Sequence, residues 1–144
     1  MRALRRGFSA AAADDEGSVL ILTLGYAVLA IVAILVCVDA TSLYLAQKRL
    51  DGIADAAALA GADGFTLAVV DDQPRAELTD AGVHDQAAAL TGQIGGTTLV
   101  SADTPDGVSA RVTVAGTWHP PVLTLFVPDG LALQATATSR TALR

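Results

Sequence analysis

Residues 18–38 (SVLILTLGYAVLAIVAILVCV) carry no charge, and Glu16 and Asp39 close the run on either side. On a helix they extend about 31 Å at 1.5 Å per residue, the hydrocarbon thickness of a bilayer. The sequence therefore predicts a membrane span from Ser18 to Val38. A cleaved secretory signal is the competing reading, since Val38, Asp39 and Ala40 place small residues suitably. Its apolar region normally covers only about 7–15 residues, shorter than this one.

The next stretch, DATSLYLAQKRLDGIADAAALAGA, has no proline and keeps apolar residues at helical spacing, so the helix is expected to continue beyond the lipid over residues 39–62. Leu43, Ala46, Leu50, Ile53, Ala57 and Ala60 recur at alternating three- and four-residue intervals and form one apolar stripe. That stripe needs a partner, either the chain's own outer region or a neighbouring subunit. Lys48, Arg49, Asp51 and Asp55 lie off it, with Lys48 and Asp51 spaced to attract. Asp39 is the first charge past the span and reads either as a solvated end-marker or as an inter-subunit contact. Tyr44 suits the outer interface, where its ring is apolar and its hydroxyl reaches water.

Ahead of the span, residues 1–17 read as a short cytoplasmic tail, with Asp14, Asp15 and Glu16 opposing the N-terminal dipole of the helix. Topology follows from the lysines and arginines. Arg2, Arg5 and Arg6 precede the span and only Lys48 and Arg49 follow it closely, which favours an inside N-terminus and an extracytoplasmic C-terminal region. The net charge is −6, and the excess of acids lies beyond the span. Such a region does not suit nucleic acid, which selects basic patches. Cys37 is the single cysteine, so no intrachain disulfide forms.

Beyond the helix, residues 63–144 are expected to form one small α+β region. Gly61, Gly64, Asp71, Asp72 and Pro74 mark a connection, and residues 65–70 (FTLAVV) read equally as a helical turn or an extended piece. Residues 75–94 suggest a second, weaker helix with Leu78, Val83, Ala87, Leu90 and Ile94 inward, interrupted by Gly82 and stopped by Gly95 and Gly96. Two strands, residues 97–102 and 108–118, flank the turn Thr104-Pro105-Asp106-Gly107. In the second, Val108, Ala110, Val112 and Val114 alternate with Ser109, Arg111 and Thr113, giving a buried and a wet face. Trp118 reads as a core plug. Residues 122–127 (VLTLFV) read as a short helix on the sheet or a segment resting near the membrane, and residues 131–143 close the chain as a strand.

The order Gly17-Ser18, apolar run, Val38-Asp39-x-x-x-Leu43-Tyr44, Arg49-Leu50-Asp51, Ala54-Asp55-Ala56-Ala57-Ala58-Leu59-Ala60 resembles the N-terminal module of the TadE/TadG-like family of tight-adherence (Flp-type) pilus assembly proteins. The resemblance covers residues 17–62. It implies a pilin-like or pseudopilin-like protein held in the cytoplasmic membrane and working outside it, with other pilus or secretion subunits, or itself, as partners through the helix. It also implies a processing site between Gly17 and Ser18. Pilin-like members usually carry a glutamate five residues after that glycine, and Leu22 stands there in this sequence. Longer TadG-like relatives carry a large adhesion-type domain for which this chain has no room.

Catalytic signatures are missing from the sequence: it has no phosphate-cradling glycine loop, no nucleophile elbow and no metal-ligand spacing around His84 or His119. The expected protein is thus a single-pass, non-enzymatic structural component without cofactor or small-molecule substrate, contacting membrane lipid. Its expected fold is α+β, a long N-terminal helix packed on a small antiparallel sheet in a pilin-like arrangement. Asp39, Leu43, Tyr44, Leu50, Ile53, Asp55, Ala57 and Ala60 are the packing and assembly candidates. The alternative is a membrane-tethered binding module for an envelope ligand, with Trp118 and residues 120–126 as its contact surface. On either reading the full chain should stay with the membrane pellet after alkaline carbonate extraction and require detergent to dissolve. Recovery as a freely soluble cytosolic protein would remove the span.

Overall fold

Alanine is the best helix former, and no proline occurs before Pro74, so nothing in the first 63 residues compels a break. The computed structural model describes residues 5–70 and 72–141, with side chains described for 17–69 and 72–141. Its first element is the helix α1 (Arg5–Asp63). Then come β1 (Thr66–Val70), β2 (Gln73–Glu77), α2 (Asp80–Thr91), β3 (Thr97–Asp103), β4 (Ser109–Trp118) and β5 (Leu131–Arg140). The fold is α+β, a long N-terminal helix with a small antiparallel sheet, as the sequence leads one to expect. The helix begins earlier than expected. Asp14, Asp15 and Glu16 lie within α1 and not at its N-terminus, because the alanine-rich run before them is itself helical. Their side chains, and residues 1–4 of the expected tail, lie outside the described residues.

The chain divides into two units, Met1–Ala40 and Thr41–Arg144. In the first, Val19, Leu20, Ile21, Leu22 and Leu24 are all more than half exposed. Among the described residues there is one helix, over Gly17–Asp63, long and apolar enough to cross a membrane. Thr23 donates its hydroxyl to the carbonyl of Val19, one turn earlier, so this polar group is satisfied within its own helix.

In the second unit β3, β4 and β5 form an antiparallel sheet with β4 in the middle, and β1 pairs with β2 as a separate two-stranded hairpin. Ala110, Val112 and Val114 of β4 are fully buried, and Ala135 and Ala137 of β5 are nearly so. They form one core with Leu50, Ala54, Ala57, Ala58 and Ala62 of α1, together with Leu78, Val83 and Ala87. Gly61, expected to break the helix, lies inside it and lets three elements meet. A Cβ at this position would come 3.0 Å from Val83 Cγ1 and 3.3 Å from Ala110 Cβ.

The middle of the chain departs from its expected helix. Residues 75–77 belong to β2, and α2 starts only at Asp80, because Thr79 caps it by accepting the N–H of Gly82 at 3.1 Å. Gly82 therefore completes the first turn instead of interrupting the helix. Residues 66–70 resolve as strand. Asp72 takes φ 61, a left-handed conformation that aspartate tolerates better than most residues, between paired Val70 and Gln73.

The β3–β4 turn is organised by Asp106. Its Oδ1 accepts the N–H groups of Val108 (3.1 Å) and Ser109 (2.6 Å), and its Oδ2 accepts the Ser109 hydroxyl at 2.9 Å. These bonds bury Ser109 and leave Val108 38% exposed, reversing the burial expected at the start of this strand. Gly107, at φ 73, turns its carbonyl to the N–H of Leu78 at 2.8 Å. Asp80 accepts the N–H of Thr104 at 2.8 Å and holds the other side of the turn. The last strand ends at Arg140; residues 142–144 lie outside the described residues.

Two outcomes follow from this packing. Leu50→Ala should cost about 2–4 kcal/mol in detergent-solubilised chain, a large share of a typical 5–15 kcal/mol, while Leu59→Ala on the exposed side costs under about 1. Denaturant titration of the β-sheet circular dichroism measures both. The hydrogen bond from the Val108 N–H, followed by those from Ser109 and the nearby Arg140 charge, holds the Asp106 carboxyl below the usual carboxylate range. A depressed folded value gives stability that is present above the unfolded value of about 3.9 and is lost as pH falls through the folded one. Asp106→Ala should therefore flatten the fall in Tm below about pH 4; an unchanged acid limb would refute the assignment.

Candidate assembly surface

Within the second unit, α1 residues 41–63 have two sides, and the spacing of alanine decides which is which. Leu50, Ala54, Ala57, Ala58 and Ala62 turn inward, with exposures of 5% or less. Ile53 packs against this core and Leu43 is half-buried. Ala60 is only half-buried as well. A stripe spaced every 3.5 residues drifts about 20° per heptad on a straight helix, and by Ala60 it has turned off the centre of the packed face. The chain's own sheet thus occupies Leu50 and Ala57. Tyr44 (60% exposed), Leu45, Leu59 and Asp55 remain on the outer side. Asp39, in the first unit, is buried.

The outer side is ordered by short polar contacts. Lys48 Nζ lies 2.9 Å from Asp51 Oδ2, and Gln47 Nε2 donates to Asp51 Oδ1 at 3.0 Å. The Lys48 bond, then the Gln47 bond, lowers the Asp51 carboxyl, and the same Asp51 contact raises the Lys48 ammonium. Both groups are exposed, so the pair orients side chains more than it stabilises the fold. Lys48 Nζ also stands 6.0 Å from the centre of the Tyr44 ring. Gln47 additionally donates to the Gln134 carbonyl of β5 at 3.0 Å, tying the helix to the sheet edge.

A groove of about 350 Å³ runs between this helix and the sheet, lined by Arg49, Ile53, Trp118, His119 and Leu133 among others, with the largely exposed Leu45 at its rim, where the outer side of the helix begins. Trp118 is not a core plug. It is half-buried on the groove wall and donates Nε1–H to the Ser42 hydroxyl at 3.1 Å. This partner was unreadable from sequence, because 76 residues separate the two. Residues 122–127 form neither helix nor strand but a turn, with Leu125 88% and Phe126 78% exposed. His84 is exposed beside Asp85, 3.8 Å away, and among the described residues no three His, Cys, Asp or Glu side chains gather as metal ligands. The arrangement offers surfaces for packing. It does not assemble a reacting constellation among the described residues.

Comparison with known proteins adds one finding. Residues 17–64, one third of the chain, match the Tad family model, described as "Putative Flp pilus-assembly TadE/G-like". No curated protein and no solved structure matches the chain.

Proposed function

We propose that this chain is a membrane-anchored, pilin-like structural component in the assembly of a tight-adherence (Flp-type) pilus or related secretion apparatus. The observation that carries the reading is the family match over residues 17–64, which coincides with the apolar segment and the alanine-rich helix that follows it. Residues 18–38 lie in the cytoplasmic membrane, and the arginines at 2, 5 and 6 hold the N-terminus inside. The second unit then stands outside, where it meets other subunits of the apparatus or further copies of this chain.

The two-sided helix gives that role a physical form. Leu50 and Ala57 are committed to the unit's own core, so contacts between subunits fall to the opposite side. There Tyr44, Leu45 and Leu59 expose apolar surface among Lys48, Asp51 and Asp55. An apolar strip with charges of both signs along one helix suits a partner helix, since burial supplies affinity and charge sets the register.

In cells that build the apparatus, Leu45→Asp with Leu59→Asp should leave the protein folded and membrane-bound but abolish piliation. A cysteine at position 45, with Cys37→Ala, should cross-link to another subunit or a second copy. Normal piliation by the double variant would overturn the reading. Mass spectrometry of the mature chain adds the processing state: a start at Ser18 fits a processed pseudopilin, and a start at Met1 an intact anchor.

A further inference from the structure

β4 runs back along α1. Ala110 packs beside Gly61, Gly116 beside Leu50, where a Cβ on the glycine would lie 3.5 Å from Leu50 Cδ1, and Trp118 reaches Ser42. β5 retraces the path, with Leu131 paired to Trp118 and the Gln134 carbonyl bonded to Gln47. The loop joining these strands, residues 119–130, therefore leaves the sheet at the end of the unit that holds Thr41 and Ser42. Ser42 follows Val38 by four residues, at most about 14 Å of chain. If residues 18–38 lie in lipid, the root of this loop is tethered close to the bilayer surface.

The loop is built and not slack. Pro120 is fully buried at its root, and Gly130 takes φ 73, where a Cβ would come 2.7 Å from the Trp118 carbonyl oxygen. The Leu123 carbonyl accepts the N–H groups of Phe126 (2.9 Å) and Val127 (3.1 Å), closing a turn that lifts Leu125 and Phe126 outward. Val122 and Val127 are each 37% exposed, less than half as much as Leu125 and Phe126. Asp129 is the one charged residue between 119 and 130, in a unit that carries eleven acids against six bases. An anionic surface repels such a unit, so a lipid contact here has to be apolar insertion.

We propose that this loop is a second membrane contact, inserting Leu125 and Phe126 into the interfacial layer of the leaflet from which the span emerges. The inference rests on the membrane-span reading but not on the pilus assignment. It fixes the second unit to the bilayer at two points, the end of the span and the loop tip. Because the contact is apolar, it does not select among headgroups. A second copy of the chain is the competing occupant, and protein density separates the two.

The test uses full-length chain with Cys37→Ala and one new cysteine per variant, Leu125→Cys or Phe126→Cys. Each is labelled with an environment-sensitive fluorophore and reconstituted at high dilution in phosphatidylcholine vesicles. Val32→Cys in the span and Gln93→Cys in the exposed turn just after α2 are the controls. Expected are blue-shifted emission and quenching by shallow nitroxide lipids at 125 and 126, quenching by deep nitroxide lipids at 32, and neither at 93. Water-like emission at 125 and 126 with position 32 quenched would overturn the loop proposal and leave the span standing. Water-like emission at 32 would remove the span and the proposal together. Apolar emission at 125 and 126 that emerges only as protein density rises assigns the tip to a second copy and refutes lipid insertion.

Discussion

The close approach of an alanine face to a valine strand is the contact on which the second unit depends. Ala54, Ala57 and Ala58 are completely buried against a core whose largest fully buried side chains are Val83, Val112 and Val114. Side chains this small bury little area each, so cohesion comes from dispersion at short range, which falls off steeply with any radial gap. Gly61 marks the limiting case, since even a methyl group there would press on Val83 and Ala110 at once. A thin core of this kind depends on how near the helix comes more than on how greasy it is.

That approach also fixes direction. With Ala110 held at Gly61 and Trp118 at Ser42, the central strand is aligned end to end with residues 42–61 of the helix, and its two turns are sorted to opposite ends. The β3–β4 turn, with Asp106 and Gly107, sits at the Gly61 end, where Gly107 meets Leu78 and Thr104 meets Asp80. The β4–β5 loop sits at the Ser42 end. One turn is satisfied by side-chain and backbone bonds within the unit. The other carries large apolar side chains outward, and the difference points to different surroundings for the two ends.

The elements with strong periodicity were legible in the sequence: the apolar run, the alanine-rich helix after it, the alternation of Ala110, Val112 and Val114, and the turn at Pro105 to Gly107. The failures have local causes. Arg75 to Glu77 read as helical because the helical spacing of Leu78, Val83 and Ala87 carries no mark of where it begins; the capping oxygen of Thr79 sets the true start. Ser109 looked solvent-facing by alternation, yet Asp106 draws both its N–H and its hydroxyl inward. Gly61 looked like a stop because glycine weakens helices, whereas here its missing side chain is what tertiary packing requires. The Trp118–Ser42 bond joins residues too far apart in sequence for any local pattern to reveal.

The helix therefore divides its surface between two demands that a single stripe cannot meet. A face of alanines close enough to hold a sheet is too shallow to recognise anything else, because recognition needs large side chains that fill a pocket or present an edge. Those side chains, Tyr44, Leu45 and Leu59, lie outside the packed face, interleaved with Lys48, Asp51 and Asp55. Changing the buried face acts on whether the unit folds, and changing the outer face acts on what it meets. The alanine-rich pattern secures the fold, while the few large residues interrupting it on the other side are left available for partners.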